Sequence, residues 1–214
     1  MTSRNTTVTI SDAAFVSTIC FGLFIVWSLR AVLSGFPDAR FSDSSNAWMI
    51  VVEIVVGSAA LLYLYARNFD IHTLYPKPTP HGALSGMGLF ASSWIFAAIA
   101  TAPFASPGQS LIVEFSFTEV SLASAVTAAM VNGAFEEIFL LGVLVRGLRG
   151  YGLSVAIGVS LLVRVLYHLY QGPLGALWVL VIGLTFTLFY VRSMKLWPPV
   201  LAHILWDIYP IYGT

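Results

Sequence analysis

The sequence contains few charged residues and almost no cysteine. Only 9% of its 214 residues are Asp, Glu, Lys or Arg, and the formal net charge is zero. Soluble domains carry about 25% charged residues, so this deficit argues against a soluble protein, and the neutral balance removes any case for a nucleic-acid partner. The single cysteine, Cys20, excludes a disulfide framework and a thiolate zinc cluster. Hydrophobic residues make up 58% of the chain, which predicts a polytopic membrane protein.

Long apolar runs, by contrast, are abundant. Seven of them have about the length that is needed to cross the hydrocarbon core of a bilayer. They predict one all-α membrane domain over residues 1–214, with seven to eight transmembrane helices enclosing a polar intramembrane cavity and a motif-bearing core at 121–209. The predicted spans are approximately Ala13–Leu33, Ala47–Ala66, Ala83–Ala102, Ser121–Val145, Gly152–Tyr170, Leu174–Val191 and Pro199–Tyr212.

The segment before the fourth span is the source of the uncertain helix count. Pro103–Thr118 contains prolines and an apolar patch, so it could hold an eighth, interfacial or re-entrant helix. The residues Ser116–Glu119 have the pattern of a capping box. They predict that the fourth helix begins directly after them.

Basic residues flank every second loop. They are Arg67, Lys77, Arg146, Arg149, Arg192 and Lys195. The positive-inside rule therefore predicts that these loops and the N-terminus are cytoplasmic, although Arg30 and Arg40 in the first external loop run against it. The lack of a targeting segment and the compact size favour a prokaryotic plasma membrane.

Three separate spans each carry a pair of ionisable residues. The pairs are Glu136 and Glu137, Arg164 and His168, and His203 and Asp207. One charge at the bilayer centre costs on the order of 2.5–3.5 kcal/mol, so such residues usually face one another or a water-filled cavity. The members of the second and third pairs are four residues apart and share a helix face. The sequence therefore predicts one shared polar site.

Two kinds of chemistry suit such a site. A buried Glu could act as general base on a water with a His assisting, or two His and a carboxylate could hold zinc with an open position for water. The sequence requires no cofactor, and zinc is a possible one. A lone intramembrane His more often makes a simple interhelical hydrogen bond. For Glu53 in the second span, an interhelical hydrogen bond is favoured over a place in a cavity wall.

The same residues lie in three spaced motifs, and there the chain resembles the CPBP family. These are the CAAX-protease and bacteriocin-processing intramembrane proteases, with the motifs EExxxR, FxxxH, and Hxxx followed by Asn or Asp. In this sequence the corresponding stretches are EEIFLLG from Glu136, RVLYH from Arg164 and HILWD from His203. The resemblance covers roughly Ser121–Tyr209, with each motif in its own span.

The resemblance implies hydrolysis of a peptide bond close to the membrane. Glu136 would activate water with help from His168, and His203 and Asp207 would stabilise the oxyanion, unless Asp207 instead orients His203. If a metal is present, Glu136, His168 and His203 would hold it. The partners would be the lipid bilayer and a peptide or protein substrate, for example a prenylated or leader-bearing one. The oligomeric state is open.

Two positions depart from the family pattern. The Arg of EExxxR is replaced by Leu141, and the Phe of FxxxH is replaced by Arg164. A buried Glu137 would then lack its cation, and a buried Arg without a carboxylate is costly. We predict that Arg164 reaches Glu137 from the neighbouring helix. The departures also leave open a degenerate family member that binds a partner without cleaving it, and, less favoured, a small proton-coupled carrier.

Overall fold

The structure is a computed structural model that describes residues 5–104, 113 and 115–212. It confirms the all-α prediction, because each predicted span contains a helix. The α-helices of the described residues are α1 (Ile10–Leu33), α2 (Asp43–Ala66), α3 (Pro80–Thr101), α4 (Leu122–Glu137), α5 (Leu153–His168), α6 (Gly172–Ser193) and α7 (Trp197–Tyr212). Short 3₁₀ turns cover Ile71–Leu74, Ala102–Phe104, Leu148–Tyr151 and Leu169–Gln171.

Helix starts follow local capping chemistry, and one predicted start is wrong. At α1, the Thr9 side chain accepts a hydrogen bond from the Asp12 amide, and the Asp12 carboxylate accepts one from the Thr9 amide. At α4, Ser121 is the cap, because its hydroxyl oxygen accepts from the Ser124 amide at 3.3 Å. The capping box predicted at 116–119 does not form, since these residues are extended.

The extended residues belong to a small sheet that the sequence analysis did not predict. Strand β1 (Ala39–Ser42) pairs in parallel with β2 (Phe115–Glu119), with Ala39 opposite Phe115. The rings of Phe41 and Phe117 stack across the pair, with centroids 5.1 Å apart. The eighth helix that was predicted in this region falls largely on residues 105–112 and 114, which lie outside the described residues.

Five helical stretches of the described chain are long and apolar enough to cross a membrane. They are Ile10–Leu33, Asp43–Ala66, Pro80–Phe104, Leu122–Val145 and Leu153–Ser193. The last is 41 residues long and contains both α5 and α6, whereas α7 has only 16 residues. The protein is therefore an integral, multi-pass membrane protein. The number of crossings, seven or eight, stays a prediction, and so do the direction of insertion and the prokaryotic source.

Helix α4 is the central helix of the fold. In Leu122–Val145, 72% of the spanning window is buried, compared with 22% in each of the first three stretches. The helix continues beyond Glu137 as a wider π-helical segment, Ile138–Val145, and most of its side chains are buried. Close packing with α7 depends on Gly133, where a Cβ atom would lie 3.1 Å from Ile204 Cγ1. This close approach brings the polar residues of α4 and α7 together.

Candidate active site

Glu137 is buried in a network of charged side chains. The Nη2 atom of Arg164 donates to both Glu137 carboxylate oxygens at 2.8 Å, and Nδ1 of His203 donates to Oε1 at 2.6 Å. Glu137 is 0% exposed and Arg164 is 2% exposed. The contact predicted between Arg164 and Glu137 is therefore present. Because a buried charge is costly without a partner, these two residues stabilise each other's burial.

Helix α6 leaves room for the arginine. A Cβ atom on Gly183 would lie 2.5 Å from Cδ and 2.9 Å from Nε of Arg164. Any larger residue at position 183 would push the guanidinium away from Glu137. A glycine on α6 thus accommodates the long side chain that replaces the family's Phe on α5.

Glu136, one residue earlier, contacts the described residues through only one of its two carboxylate oxygens. The hydroxyl group of Tyr167 donates to Oε2 of Glu136, and Nη1 of Arg164 and Nε2 of His203 each lie 3.6 Å from the same oxygen. Among the described residues, all of these contacts are made through Oε2. Glu136 also lines the main cavity. Its Oε1 atom is consequently available to a water or a substrate group.

The two remaining predicted site residues also line this cavity. Nδ1 of His168 donates to the carbonyl oxygen of Arg164 at 2.9 Å, which leaves Nε2 as an acceptor. No hydrogen bond joins His168 to Glu136 in the part of the chain that the structure describes. Asp207 Oδ1 is 3.6 Å from His203 Nε2, and Asp207 Oδ2 accepts from Asn132 Nδ2 at 2.9 Å.

The cavity has a volume of about 940 Å³ and walls that are mostly apolar. It extends from Glu136 to the sheet residues Phe41 and Phe117. Indole rings form much of its wall: Trp27, Trp48, Trp178 and Trp206. The predicted polar cavity is thus present as a largely aromatic chamber with a polar end, suited to an amphipathic chain.

The side-chain atoms that could serve as metal ligands here do not fit a divalent metal well. Glu136, Glu137 and His203 offer ligand atoms within 4.8 Å of one another. However, both Glu137 oxygens already accept from Arg164, whose positive charge would repel a cation at this point. His168, which the sequence analysis included in a conditional metal set with Glu136 and His203, is not part of this group. The cluster fits an internal ion pair better.

Tyr167 and Asn132 are cavity residues that the sequence did not single out, and Glu53 is one for which the less favoured of two alternatives holds. Tyr167 lies three residues after Arg164 and Asn132 lies four residues before Glu136, so helical spacing could have placed both on the site's faces. Glu53 is 3% exposed and lines the cavity, and its Oε2 has no hydrogen-bond partner among the described residues. The favoured interhelical hydrogen bond is not formed at that oxygen, so the cavity-wall alternative is the better one.

The comparisons with known proteins agree with this geometry. A family model described as "Type II CAAX prenyl endopeptidase Rce1-like" matches residues 118–209. No curated protein and no solved structure matches the chain significantly. The matched segment contains β2 from position 118 onward, α4 to α6 and most of α7, with every ionisable residue of the site on these helices. The match over residues 118–209 is consistent with the CPBP family of CAAX-type membrane proteases, which the three spaced motifs also resemble.

Proposed function

We propose that this protein is an intramembrane endopeptidase that hydrolyses a peptide bond with a water activated by Glu136. The proposal rests on the different contacts that the two adjacent carboxylates make. Glu137 uses both oxygens on Arg164 and His203, whereas Glu136 lines a large cavity and makes its contacts with the described residues through Oε2. A structural ion pair and a general base thus lie next to each other.

The water would be held and deprotonated by Glu136. Its Oε1 atom accepts a hydrogen bond from the water, while Tyr167 and the nearby Arg164 hold the Oε2 atom in place. His168 Nε2 is a second acceptor on the same cavity, so it can orient the water or take its proton. General base catalysis of this kind contributes typically about 10²–10⁴-fold in rate.

The developing oxyanion needs hydrogen-bond donors on the opposite side of the carbonyl group. In its imidazolium form His203 is one such donor through Nε2: Nδ1 donates to Glu137, and the carboxylates of Glu136 and Asp207, each 3.6 Å from Nε2, favour a second proton there. The Asn132 amide is the second, since it lines the cavity and contacts Asp207. Asp207 has donors near both of its oxygens, which supports the role of orienting His203 over that of donating. Preorganised donors of this kind stabilise acyl-transfer intermediates.

The substrate is a peptide that enters the cavity from the membrane. The aromatic wall and polar end suit a chain that carries an apolar segment next to its scissile bond, as prenylated C-terminal peptides and leader-bearing peptides do. The family description names a prenyl endopeptidase, so the prenylated class is the first to test. The proposed mechanism involves no metal, and treatment with a strong chelator should leave the rate unchanged.

The test is a cleavage assay in proteoliposomes with quenched fluorescent peptides. A farnesylated C-terminal peptide, a leader-bearing peptide and an unmodified membrane-anchored peptide would be compared. The Glu136→Gln and His168→Ala variants should lose cleavage of whichever peptide is hydrolysed. Glu119→Gln, the same substitution at an exposed position on β2, should retain it.

Two results would contradict the proposal. Full activity in Glu136→Gln would show that this carboxylate is not the base. Peptide binding without any cleavage by the unchanged protein would instead support the degenerate, binding-only family member. Proton or solute flux through the same proteoliposomes would support the carrier alternative.

A further inference from the structure

Glu53 is a buried carboxyl group of the cavity that the mechanism does not use. It lies on α2, outside the segment that matches the family, and its side chain lines the same cavity as Glu136 and Asp207. Only 3% of the residue is exposed, and Oε2 is a buried atom without a hydrogen-bond partner in the described chain. The other two carboxylates each accept a hydrogen bond, from Tyr167 and Asn132.

An unpartnered buried oxygen of this kind requires an explanation. Buried polar side-chain atoms in native proteins nearly always have a partner, and the exceptions often await a water or a ligand. The nearest amide on the same helix is already engaged, because Asn46 Nδ2 donates to the Ser124 hydroxyl group at 3.0 Å. A molecule bound in the cavity can supply a donor to this oxygen.

We infer that Glu53 is a substrate-recognition residue that accepts a hydrogen bond from an N–H group of the bound peptide. The inference rests on the proposed function, because it takes the cavity's occupant to be a peptide. The carboxyl group of Glu53 needs a donor that can reach Oε2 inside the cavity. A bound peptide brings such donors, because every residue except proline has a backbone N–H group.

The N–H group can come from the peptide backbone or from a Lys or Arg side chain next to the scissile bond. Both sources would satisfy the same carboxyl oxygen. They differ in what weakens the contact, since N-methylation removes a backbone donor, whereas acetylation of a Lys side chain leaves one N–H group but removes its charge. The contribution of Glu53 can therefore be assigned to one source by comparing matched peptides.

The experiment measures peptide binding separately from cleavage. The Glu136→Gln protein in detergent is titrated with a fluorescein-labelled farnesylated peptide that carries one Lys beside the modified Cys, and with its N-methylated and acetyl-lysine counterparts. Adding Glu53→Leu should raise the dissociation constant about tenfold, which corresponds to the loss of one hydrogen bond. Ile54→Leu, at a neighbouring position that is 54% exposed, is the control and should leave binding unchanged.

Stability gives the second readout. Glu53→Leu should raise the unfolding temperature of the empty protein, because it removes a buried polar atom that has no partner. A purely structural role for Glu53 would lower the unfolding temperature and weaken binding together. Weaker peptide binding together with a higher unfolding temperature would therefore identify Glu53 as a recognition residue.

Each outcome bears on the inference. The N-methylated or the acetylated peptide should bind the Glu136→Gln protein more weakly than the unmodified peptide does. If this difference disappears when Glu53→Leu is added, the result supports the inference and identifies the donor. An unchanged dissociation constant in Glu53→Leu, or no binding of any peptide, overturns it. If peptides bind in a Glu53-dependent way but the unchanged protein cleaves none, the inference stands and the proposed hydrolysis fails.

Discussion

The two sides of α4 at Glu136 and Glu137 form different environments only one residue apart. On the Glu137 side, α5, α6 and α7 close around an ion pair from which solvent is excluded. On the Glu136 side, the same helices leave a cavity of about 940 Å³. Consecutive helical residues point about 100° apart, so one carboxylate can be structural while its neighbour is available for chemistry. The variants below test whether these two carboxylates have separate roles.

Arg164→Phe should have the largest effect, on the closed side. It restores the family's residue but leaves Glu137 buried without its cation, and breaking a buried pair in this way costs about 3–5 kcal/mol. Chemical denaturation of the variant in detergent would measure the loss. The matched control is Leu141→Arg with Arg164→Phe, which returns a cation four residues after Glu137 and should recover much of the stability. Equal stability of the single variant and the unchanged protein would contradict the ion-pair interpretation.

Gly183→Ala tests the same side without removing any charge. The added Cβ atom would meet Arg164 at 2.5 Å, and such overpacking costs typically about 1–3 kcal/mol. Thermal unfolding in detergent would record the change. The control is Gly158→Ala on α5, where a Cβ atom would meet nothing within 4 Å. If the two variants unfolded at the same temperature, the close fit of Arg164 against α6 would be wrong.

Tyr167→Phe tests the open side. It removes the donor to Oε2 of Glu136, and losing a hydrogen bond to a charged group is worth about 1.5–3 kcal/mol. We therefore expect the cleavage rate to fall roughly tenfold or more with little change in stability. Tyr151→Phe, at a tyrosine that is 47% exposed, should leave the rate unchanged. If the unfolding temperature fell while the cleavage rate did not change, Tyr167 would have a role in stability and not in catalysis.

Asp207→Asn should have the smallest effect. Asp207 accepts from Asn132 and lies 3.6 Å from His203 Nε2, and the oxygen of an Asn amide can keep one of these contacts. We expect the cleavage rate to fall by about 2- to 10-fold, because a neutral hydrogen bond contributes about 0.5–1.5 kcal/mol. Asp207→Ala, which loses both contacts, is the comparison and should be slower. Loss of all activity in Asp207→Asn would show that the reaction requires a negative charge at this position.

The sequence predicted the helices well where apolar length was the main signal. Each of the seven apolar runs contains a helix, because a chain in a bilayer has to satisfy its backbone hydrogen bonds internally. The Arg164–Glu137 contact was also predictable, since two missing motif residues left one buried anion and one buried cation without partners. The β1–β2 pair was not predictable, because strands 39–42 and 115–119 meet only through the arrangement of the helices between them.

The sequence by itself determined that this is an all-α membrane protein with ionisable residues in three C-terminal helices, since composition and helical spacing are local properties. The tertiary structure decided which carboxylate is closed off and which lines the cavity, because that depends on how α5 to α7 pack against α4. Within the described part of the chain, it also showed that His168 forms a hydrogen bond with the Arg164 carbonyl and not with Glu136, and that Glu53 lines the cavity without a hydrogen-bond partner at Oε2. Spacing along one helix cannot fix contacts between helices.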